Sequence, residues 1–320
     1  MLAVVFDEPG DADQLRLTDL PRPEPGPGEL LVRVHATAVN RADILQRRGL
    51  YPPPPGASPL LGLELAGEVA ALGAGVASPA LGTRVCGIVA GGGYAEYALL
   101  PASCAIAIPD AMSFEQAAAF SEVWLTAYDA LFERGKLQRG ERVLIHGGSS
   151  GIGTAAIQLA VRAGAEVMVT VGSDEKGERC LALGATRFVN YRNQQFADVT
   201  GDIDVVLDIM GAAYLDANLR VLRTGGRLVI IGMQSGVRAE LDLMRVLRGR
   251  LTVTGATLRA RSIEEKAELS QRVANDVLPA MLAGELKVVV DQVLSIVDVQ
   301  TAHRRLEASE HVGKIVLRVP

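Results

Sequence analysis

Arg142-Val143-Leu144-Ile145-His146-Gly147-Gly148-Ser149-Ser150-Gly151-Ile152-Gly153 runs from an apolar strand-like segment through a glycine-rich turn into the helix-like stretch Thr154 to Ala163. Glycines at such a junction let backbone N–H groups approach an anion at the positive end of a helix. Glu166 to Val171 supplies the next strand, which completes a βαβ unit. In that setting the cluster predicts a dinucleotide pyrophosphate loop, formed by Gly148, Ser149, Ser150, Gly151, Ile152 and Gly153, rather than an ordinary turn. A nicotinamide-dependent oxidoreductase is therefore expected.

The loop departs from the ideal G-x-G-x-x-G spacing. With Gly148 as the first glycine, Ser150 takes the second position while Gly151 and Gly153 are kept. Read as Gly147-x-x-x-Gly151-x-Gly153, it also fits the loop of short-chain dehydrogenases. Those enzymes carry it near the N-terminus and have a Tyr-x-x-x-Lys pair later on. Here the loop lies mid-chain, and Tyr191 and Tyr214 are followed four positions on by Gln195 and Asn218.

Outward from the loop, strand-like and helix-like segments alternate. Arg142 to His146, Glu166 to Val171, Thr186 to Tyr191, Ile203 to Ile209, Gly226 to Gly232 and Leu251 to Thr257 predict an α/β domain with a doubly wound parallel sheet, the cofactor lying across its switch point. Before it, residues 2–100 read as short alternating strands broken by Pro and Gly, with Leu30 to Ala36 and Leu65 to Ala70 the clearest. Pro21 to Gly28 is a loop, since its prolines cannot donate to a ladder. Helical texture begins at Ser113 and continues through Trp124, Tyr128 and Leu131. Beyond Arg259, Ser262 to Leu282 predicts a long helix. Lys287 to Val290 and Gly313 to Val319 return to strand character, which makes the first domain discontinuous. The expected division is 1–121 with 260–320, and 122–259.

Composition narrows the function classes. The 320 residues suffice for about two domains, and 49% hydrophobic with 22% charged residues is the balance of a soluble globular chain. No apolar run reaches the roughly 18 uncharged residues of a spanning helix. Met1 to Phe6 is ended by Asp7-Glu8-Pro9-Gly10, so no signal peptide or membrane association is expected and the location is cytoplasmic by default. A net charge of −5 gives no basic footprint for nucleic acid. Cys86, Cys104 and Cys180 are too scattered for a disulfide framework or a metal knuckle and read as buried small side chains.

Together these pieces resemble the medium-chain dehydrogenase/reductase superfamily and, within it, the zinc-free, zeta-crystallin-like NADPH:quinone oxidoreductases. The segments that carry the resemblance are Asn40 to Arg47, Gly49 to Gly56, Gly91 to Tyr97, Trp124 to Tyr128 and Gly153 to Leu159. The first two are most similar to a tumour-suppressor-induced branch of those enzymes. The resemblance covers nearly the whole chain and implies a GroES-like catalytic domain beside a Rossmann domain, with a quinone as the small-molecule substrate.

It also bears on metals. Zinc-dependent members take ligands from a cysteine and a Gly-His-Glu element; here Asn40 stands at the cysteine position and Gly62-Leu63-Glu64 has leucine for the histidine. The cysteine-rich lobe expected around 85–105 is missing. His35, His146, His303 and His311 are spread along the chain, so structural or surface roles are expected and no metal. Without a Lewis acid, hydride must pass to a substrate that is already an electron acceptor, such as a quinone or an activated alkene.

Tyr51 resembles the tyrosine at the family's quinone site, where a phenol can hydrogen-bond the oxygen that gains charge. From its chemistry alone it serves equally as a ring packed on the Pro52 to Pro55 turn. Asn40 is expected to donate an amide hydrogen bond to substrate or nicotinamide. Asp43 reads as a structural carboxylate paired with Arg41 or Arg47 rather than as an acid or base.

At the end of the second strand, Thr170-Val171-Gly172-Ser173 offers no carboxylate to grip a ribose 2′-hydroxyl, which favours NADPH. Ser173 and Lys176 are the expected phosphate contacts, and Tyr191 resembles the tyrosine that covers the adenosine phosphate. Asp174 and Glu175 fit the first turn of the following helix, where carboxylates favour the dipole. By the same resemblance Thr126 lies near the nicotinamide, and Gly232 and Met233 complete the cleft. The β-prone run Arg250 to Ala256, last in the nucleotide sheet, is expected to pair across a two-fold axis in a homodimer. Two other readings stand beside the quinone one: reduction of the double bond of enones or alkenals, and a non-enzymatic NADPH-binding protein of crystallin or RNA-binding type.

Overall fold

Residues 1–320, all described by the computed structural model, fall into two units, Met1–Leu125 with Leu258–Pro320 and Thr126–Thr257. In chain order the first segment holds β1 (Leu2–Val5), β2 (Arg16–Asp19), β3 (Glu29–Ala38), α1 (Arg41–Arg47), β4 (Glu64–Leu72), β5 (Arg84–Ile88), β6 (Tyr97–Pro101), β7 (Ile106–Ala107) and α2 (Phe114–Ala118), with α3 (Ser121–Tyr128) at its end. The nucleotide unit follows with β8 (Arg142–His146), α4 (Gly151–Arg162), β9 (Glu166–Val171), α5 (Asp174–Leu181), β10 (Arg187–Asn190), α6 (Phe196–Val199), β11 (Ile203–Asp208), α7 (Leu215–Val221), β12 (Leu222–Ile230), α8 (Leu243–Gly249) and β13 (Thr252–Gly255). The chain then returns to the first unit through α9 (Ile263–Leu282), β14 (Val290–Ser295), α10 (Val299–Glu307) and β15 (Lys314–Arg318).

In the first unit β14-β15-β3-β4-β5-β7 form one sheet, with β6 also on β3, while β1 and β2 pair as a separate antiparallel ribbon. Strand β3 is hydrogen-bonded to β15, β4 and β6, and most of its ten residues are buried. Its alternation is lost because both faces meet protein, unlike the half-exposed strands its sequence suggests. Val4, Leu30, Val32, Val34, Leu65, Ile315 and Leu317 belong to the core that these strands enclose, each such side chain contributing about 1.5–3 kcal/mol by leaving water.

The nucleotide unit has the order β10-β9-β8-β11-β12-β13, all parallel. Numbered within the unit this is 3-2-1-4-5-6, the doubly wound order of dinucleotide-binding sheets. The chain reverses direction of winding between β8 and β11, the central pair. Leu144, Val206 and Leu228 lie in its core with Phe196 and Leu219 from the helices.

Two expectations shift. Lys287 to Val289 are not strand; β14 begins at Val290, whose partner Lys314 is the first residue of β15. The last sheet strand shortens to Thr252–Gly255, the four residues that face Arg227 to Ile230 of β12. All three cysteines are buried and free. No helix is long and apolar enough to cross a membrane.

Candidate cofactor and substrate sites

In the nucleotide unit the turn after β8 is fixed from below. His146 is buried between Thr170 Oγ1 (3.0 Å) and Asn218 Oδ1 (2.7 Å), and burial pushes its ring down to about 4, so it is neutral at pH 7. Gly147 N–H donates to the Thr170 hydroxyl and Gly148 N–H to the Thr170 carbonyl. Ser150 does not act as a second glycine: it is the N-cap of α4, its Oγ accepting from Gly153 N–H at 3.0 Å. The first-turn amides of Gly151 and Ile152 have no partner within α4 and present the positive helix end. Gly153 must lack a side chain, since a Cβ there would collide with the carbonyls of Gly147 and Gly148; at Gly148 it would lie 2.6 Å from Val169. These bare surfaces fit a pyrophosphate, with Ser149 buried alongside.

Ser173, Lys176 and Tyr191, separated in sequence, meet at the ends of β9 and β10. Ser173 caps α5 by accepting from Lys176 N–H at 3.3 Å, which leaves its hydroxyl hydrogen to donate. The Tyr191 hydroxyl lies so close to Gly172 that a Cβ added there would be 2.5 Å away. Asp174 is in the first turn of α5 and accepts from Asn190 Nδ2 at 2.9 Å. Gly232 and the exposed Met233 follow β12, in a loop tied to the turn after β11 by Gln234 N–H to Ile209 O and Ser235 Oγ to Met210 O. That turn is organised by Asp208, a fully buried carboxyl that sequence reasoning missed; it accepts from Met210 and Gly211 N–H, and burial raises it to about 6. Thr126 is partly exposed on α3.

In the first unit the polar residues form a buried cluster. Asn40 Nδ2 donates to Glu64 Oε1 at 2.9 Å and to Ala38 O at 3.3 Å, while its Oδ1 accepts from Lys314 Nζ at 2.6 Å. Lys314 Nζ also reaches Glu64 Oε1 at 2.9 Å and Val39 O at 3.0 Å. Asn40 therefore has no amide hydrogen for a substrate, which corrects the role expected of it. The reason is Lys314, a charged residue opening the apolar run Ile315 to Leu317 and only 3% exposed, whose partners come from the turn before α1 and from β4. A lysine opening an apolar strand-like run is the sequence signal that was overlooked.

Asp43 is also not paired as expected. Its carboxylate accepts from Asn40 N–H, Gly62 N–H and the Tyr94 hydroxyl, and burial raises it to about 6 against those bonds. It is linked to Arg47 only indirectly, through Tyr94 and His303: Arg47 Nη1 lies 3.2 Å from His303 Nδ1, and His303 Nε2 lies 3.3 Å from the Tyr94 hydroxyl. Arg41 turns instead to the Leu306 carbonyl. The carboxylate is structural, serving backbone amides rather than an arginine.

Tyr51 is partly exposed, and its ring lies 5.2 Å from the guanidinium of Arg259. Arg259 is held by Ala90 O, Gln46 Oε1 and the Tyr51 carbonyl, so it fixes both backbone and ring while the phenol oxygen makes no hydrogen bond within the chain. Glu122, in the first turn of α3, donates its backbone N–H to Glu64 Oε2 at 2.8 Å. Burial, reinforced by Glu64, pushes its own carboxyl up to about 8. A lone acid between apolar Phe120 and Val123 was its only sequence trace.

A catalytic zinc does not fit here. The donors at the positions used by zinc-dependent enzymes are an amide, the alkyl chain of Leu63 and a carboxylate already paired with the Lys314 ammonium, whose charge repels a second cation. No group of three or more His, Cys, Asp or Glu in the chain can hold a metal ion.

Similarity to known proteins agrees with both units. A family model described as an alcohol dehydrogenase GroES-like domain matches residues 26–110, and one described as a zinc-binding dehydrogenase matches residues 151–275. The chain is 32% identical to mycobacterial Rv1454c, solved with NADPH, at a TM-score of 0.90 with 99% of each chain covered. It is 29% identical to the quinone oxidoreductase of Escherichia coli, also solved with NADPH, at a TM-score of 0.91, covering 99% of this chain and 100% of that one. To CurK enoyl reductase it is 28% identical at a TM-score of 0.87, covering 100% and 99%. A mycocerosic acid synthase-like polyketide synthase of Mycobacterium tuberculosis is 33% identical over 322 residues, 98% of this chain but 15% of that protein. The chain thus spans about 15% of the length of the first curated relatives it matches. With a doubly wound nucleotide unit, a GroES-like unit, and full-length neighbours above 30% identity, the chain belongs to the medium-chain dehydrogenase/reductase superfamily of oxidoreductases.

Proposed function

We propose that this chain is a zinc-independent, NADPH-dependent quinone oxidoreductase. The observation that carries this reading is Lys314, bonded to Asn40 and Glu64 where zinc-dependent relatives keep ligands. An ordinary ketone accepts hydride only when its oxygen is polarised by a Lewis acid or by a placed acid such as a Tyr-x-x-x-Lys pair, and the chain has neither, which favours a substrate that is an electron acceptor by itself. NADPH, when bound, supplies the hydride. Gly148 to Gly153 would hold its pyrophosphate, and Ser173, Lys176 and Tyr191 its 2′-phosphate, at a strand end with Asp174 turned to Asn190. Likeness to the E. coli quinone oxidoreductase supports the substrate class.

A second reading, reduction of the double bond of an enone or enoyl group, is favoured by likeness to CurK enoyl reductase and by the acid Glu122. Chelator-treated protein should oxidise NADPH when 1,2-naphthoquinone is added. Turnover confined to enones would move the assignment to the second reading; fluorescence change on NADPH binding without consumption of NADPH by either acceptor would make it a binding protein. Assembly as a homodimer is part of the proposal. β13 is the edge strand of its sheet, and α8, which precedes it in the chain, leaves Leu243, Met244 and Leu247 exposed at 71%, 53% and 71%. Light scattering should give twice the 33.8 kDa chain mass, and a monomer at micromolar concentration would reject it.

A further inference from the structure

Reducing a quinone or an enone takes a proton as well as a hydride, so an acid must reach the substrate. In the unit formed by 1–125 and 258–320, hydrogen bonds exclude the candidates around Asn40 one after another. Tyr94 is fully buried with its hydroxyl between Asp43 and His303. The Asp43 carboxylate already accepts three donors. Both amide hydrogens of Asn40 and all three ammonium hydrogens of Lys314 are committed within the cluster. Cys86 is buried, and burial pushes its thiol up to about 12. Two groups keep free functional atoms: the Tyr51 phenol and the Glu122 carboxyl. Glu122, a residue of intermediate burial, has its backbone N–H pinned to Glu64, and its carboxyl oxygens bond to nothing in the chain.

We propose that Glu122 is the catalytic acid that protonates the reduced substrate, an inference that rests on the reductase reading above. Hydride uptake leaves the substrate as an anion, two electrons richer and one proton short. The O–H bond of Glu122 then breaks as the anion's electron pair takes the proton, onto the α carbon of an enone or the remaining oxygen of a quinone. The Glu122 carboxylate that is left recovers a proton from water.

The surroundings suit the task. Glu64 from β4 and Asp43 from α1 disfavour a second negative charge, while Lys314 from β15, Arg259 from the segment before α9 and Lys266 from α9 oppose them. Burial outweighs the cations and holds the carboxyl protonated at neutral pH, up to about 8. An acid of that strength gives up a proton readily near pH 7 and, once ionised beside Glu64, is driven to regain it. An enone needs the acid most, because carbon takes a proton slowly from water whereas a hydroquinone oxygen does not.

The test is the pair Glu122→Gln and Glu122→Asp, assayed from pH 6 to 10 with an enone and with 1,2-naphthoquinone. With wild-type protein the enone rate should be level at low pH and fall above about pH 8. Glu122→Gln should lose the enone rate by about 100-fold, abolish that pH step and change quinone turnover far less; Glu122→Asp should restore part of the rate with the step displaced. NADPH affinity by fluorescence should not move. Independently of turnover, infrared difference spectra of the NADPH-free protein should show a protonated carboxyl that ionises near pH 8 and is missing in Glu122→Gln. An active wild type matched by Glu122→Gln in rate and pH step would overturn this inference alone, as would absence of the infrared band. A wild type inert toward both acceptors would overturn the functional reading and the inference with it.

Discussion

The nucleotide unit works through its backbone, and the first unit through side chains gathered from afar. Gly148 to Gly153 is one turn of chain whose function is bare amides and missing Cβ atoms, and its supports, His146 and Thr170, sit on the two strands that flank it. The cluster in the other unit joins Asn40, Glu64, Glu122 and Lys314, its outermost members 274 positions apart in the chain. Backbone geometry is set by local residue type, so a change there perturbs binding at one point. A buried charge cluster is held by mutual neutralisation, and removing one member exposes the rest to an unfavourable interior.

Lys314→Met is the strongest way to break that comparison. It leaves the fully buried Glu64 without its cation and should destabilise the protein by about 3–5 kcal/mol in urea. Lys314→Met combined with Glu64→Gln should recover much of the loss, because the stranded charge is gone; additive losses would mean that the pair is not coupled. The same unit should show a distinctive pH dependence. Asp43 and Glu122, raised from 3.8 to about 6 and from 4.5 to about 8, bind protons in the folded chain that the unfolded chain releases. Their contribution to stability is complete below about pH 4 and is lost as pH rises toward 8. Urea midpoints at pH 5, 7 and 9 should fall less steeply in Glu122→Gln, and an unchanged slope would contradict the protonated state.

A smaller effect sharpens the other side. Lys176→Ala removes a charge at the end of β9 while leaving the Ser173 cap, which uses only the Lys176 backbone N–H. A charge-assisted phosphate contact is worth about 1.5–3 kcal/mol, so NADPH affinity should drop roughly tenfold or more and NADH hardly at all. Equal losses in fluorescence titrations would show that Lys176 does not read the phosphate.

The same contrast governs what could be read without coordinates. The parallel sheet and the glycine turn follow from patterns within ten or so residues, since strand, glycine and helix N-terminus are neighbours in sequence, whereas the strand order comes only from the structure. Even there two local roles were missed: Ser150 proved to be a helix cap, and Asp208 went unnoticed because a carboxyl serving two backbone amides looks like any strand-end acid. In the first unit Tyr51 and Asn40 were picked out by segment similarity, but the role of Asn40 was misjudged, since nothing near residue 40 announces a lysine at 314. Asp43 was given the wrong partners, as Tyr94 and His303 intervene only in three dimensions.

Tyr51 is where the two kinds of role meet in one residue, and the expected effect is the smallest. Its carbonyl accepts from Arg259 and its ring faces the same guanidinium at 5.2 Å, both of which hold the turn; its hydroxyl does neither. Tyr51→Phe keeps the ring and the carbonyl and deletes only the hydroxyl, so the melting temperature and NADPH affinity should be unchanged. If the phenol donates to the oxygen that gains charge, quinone kcat/KM should fall on the order of tenfold, less than in a strongly preorganised site because quinones are reactive. Arg259→Gln, which removes the cation beneath the ring, should instead lower the melting temperature. A Tyr51→Phe protein with full activity would assign the residue to packing alone, and loss of stability in that variant would show that the hydroxyl holds the turn after all.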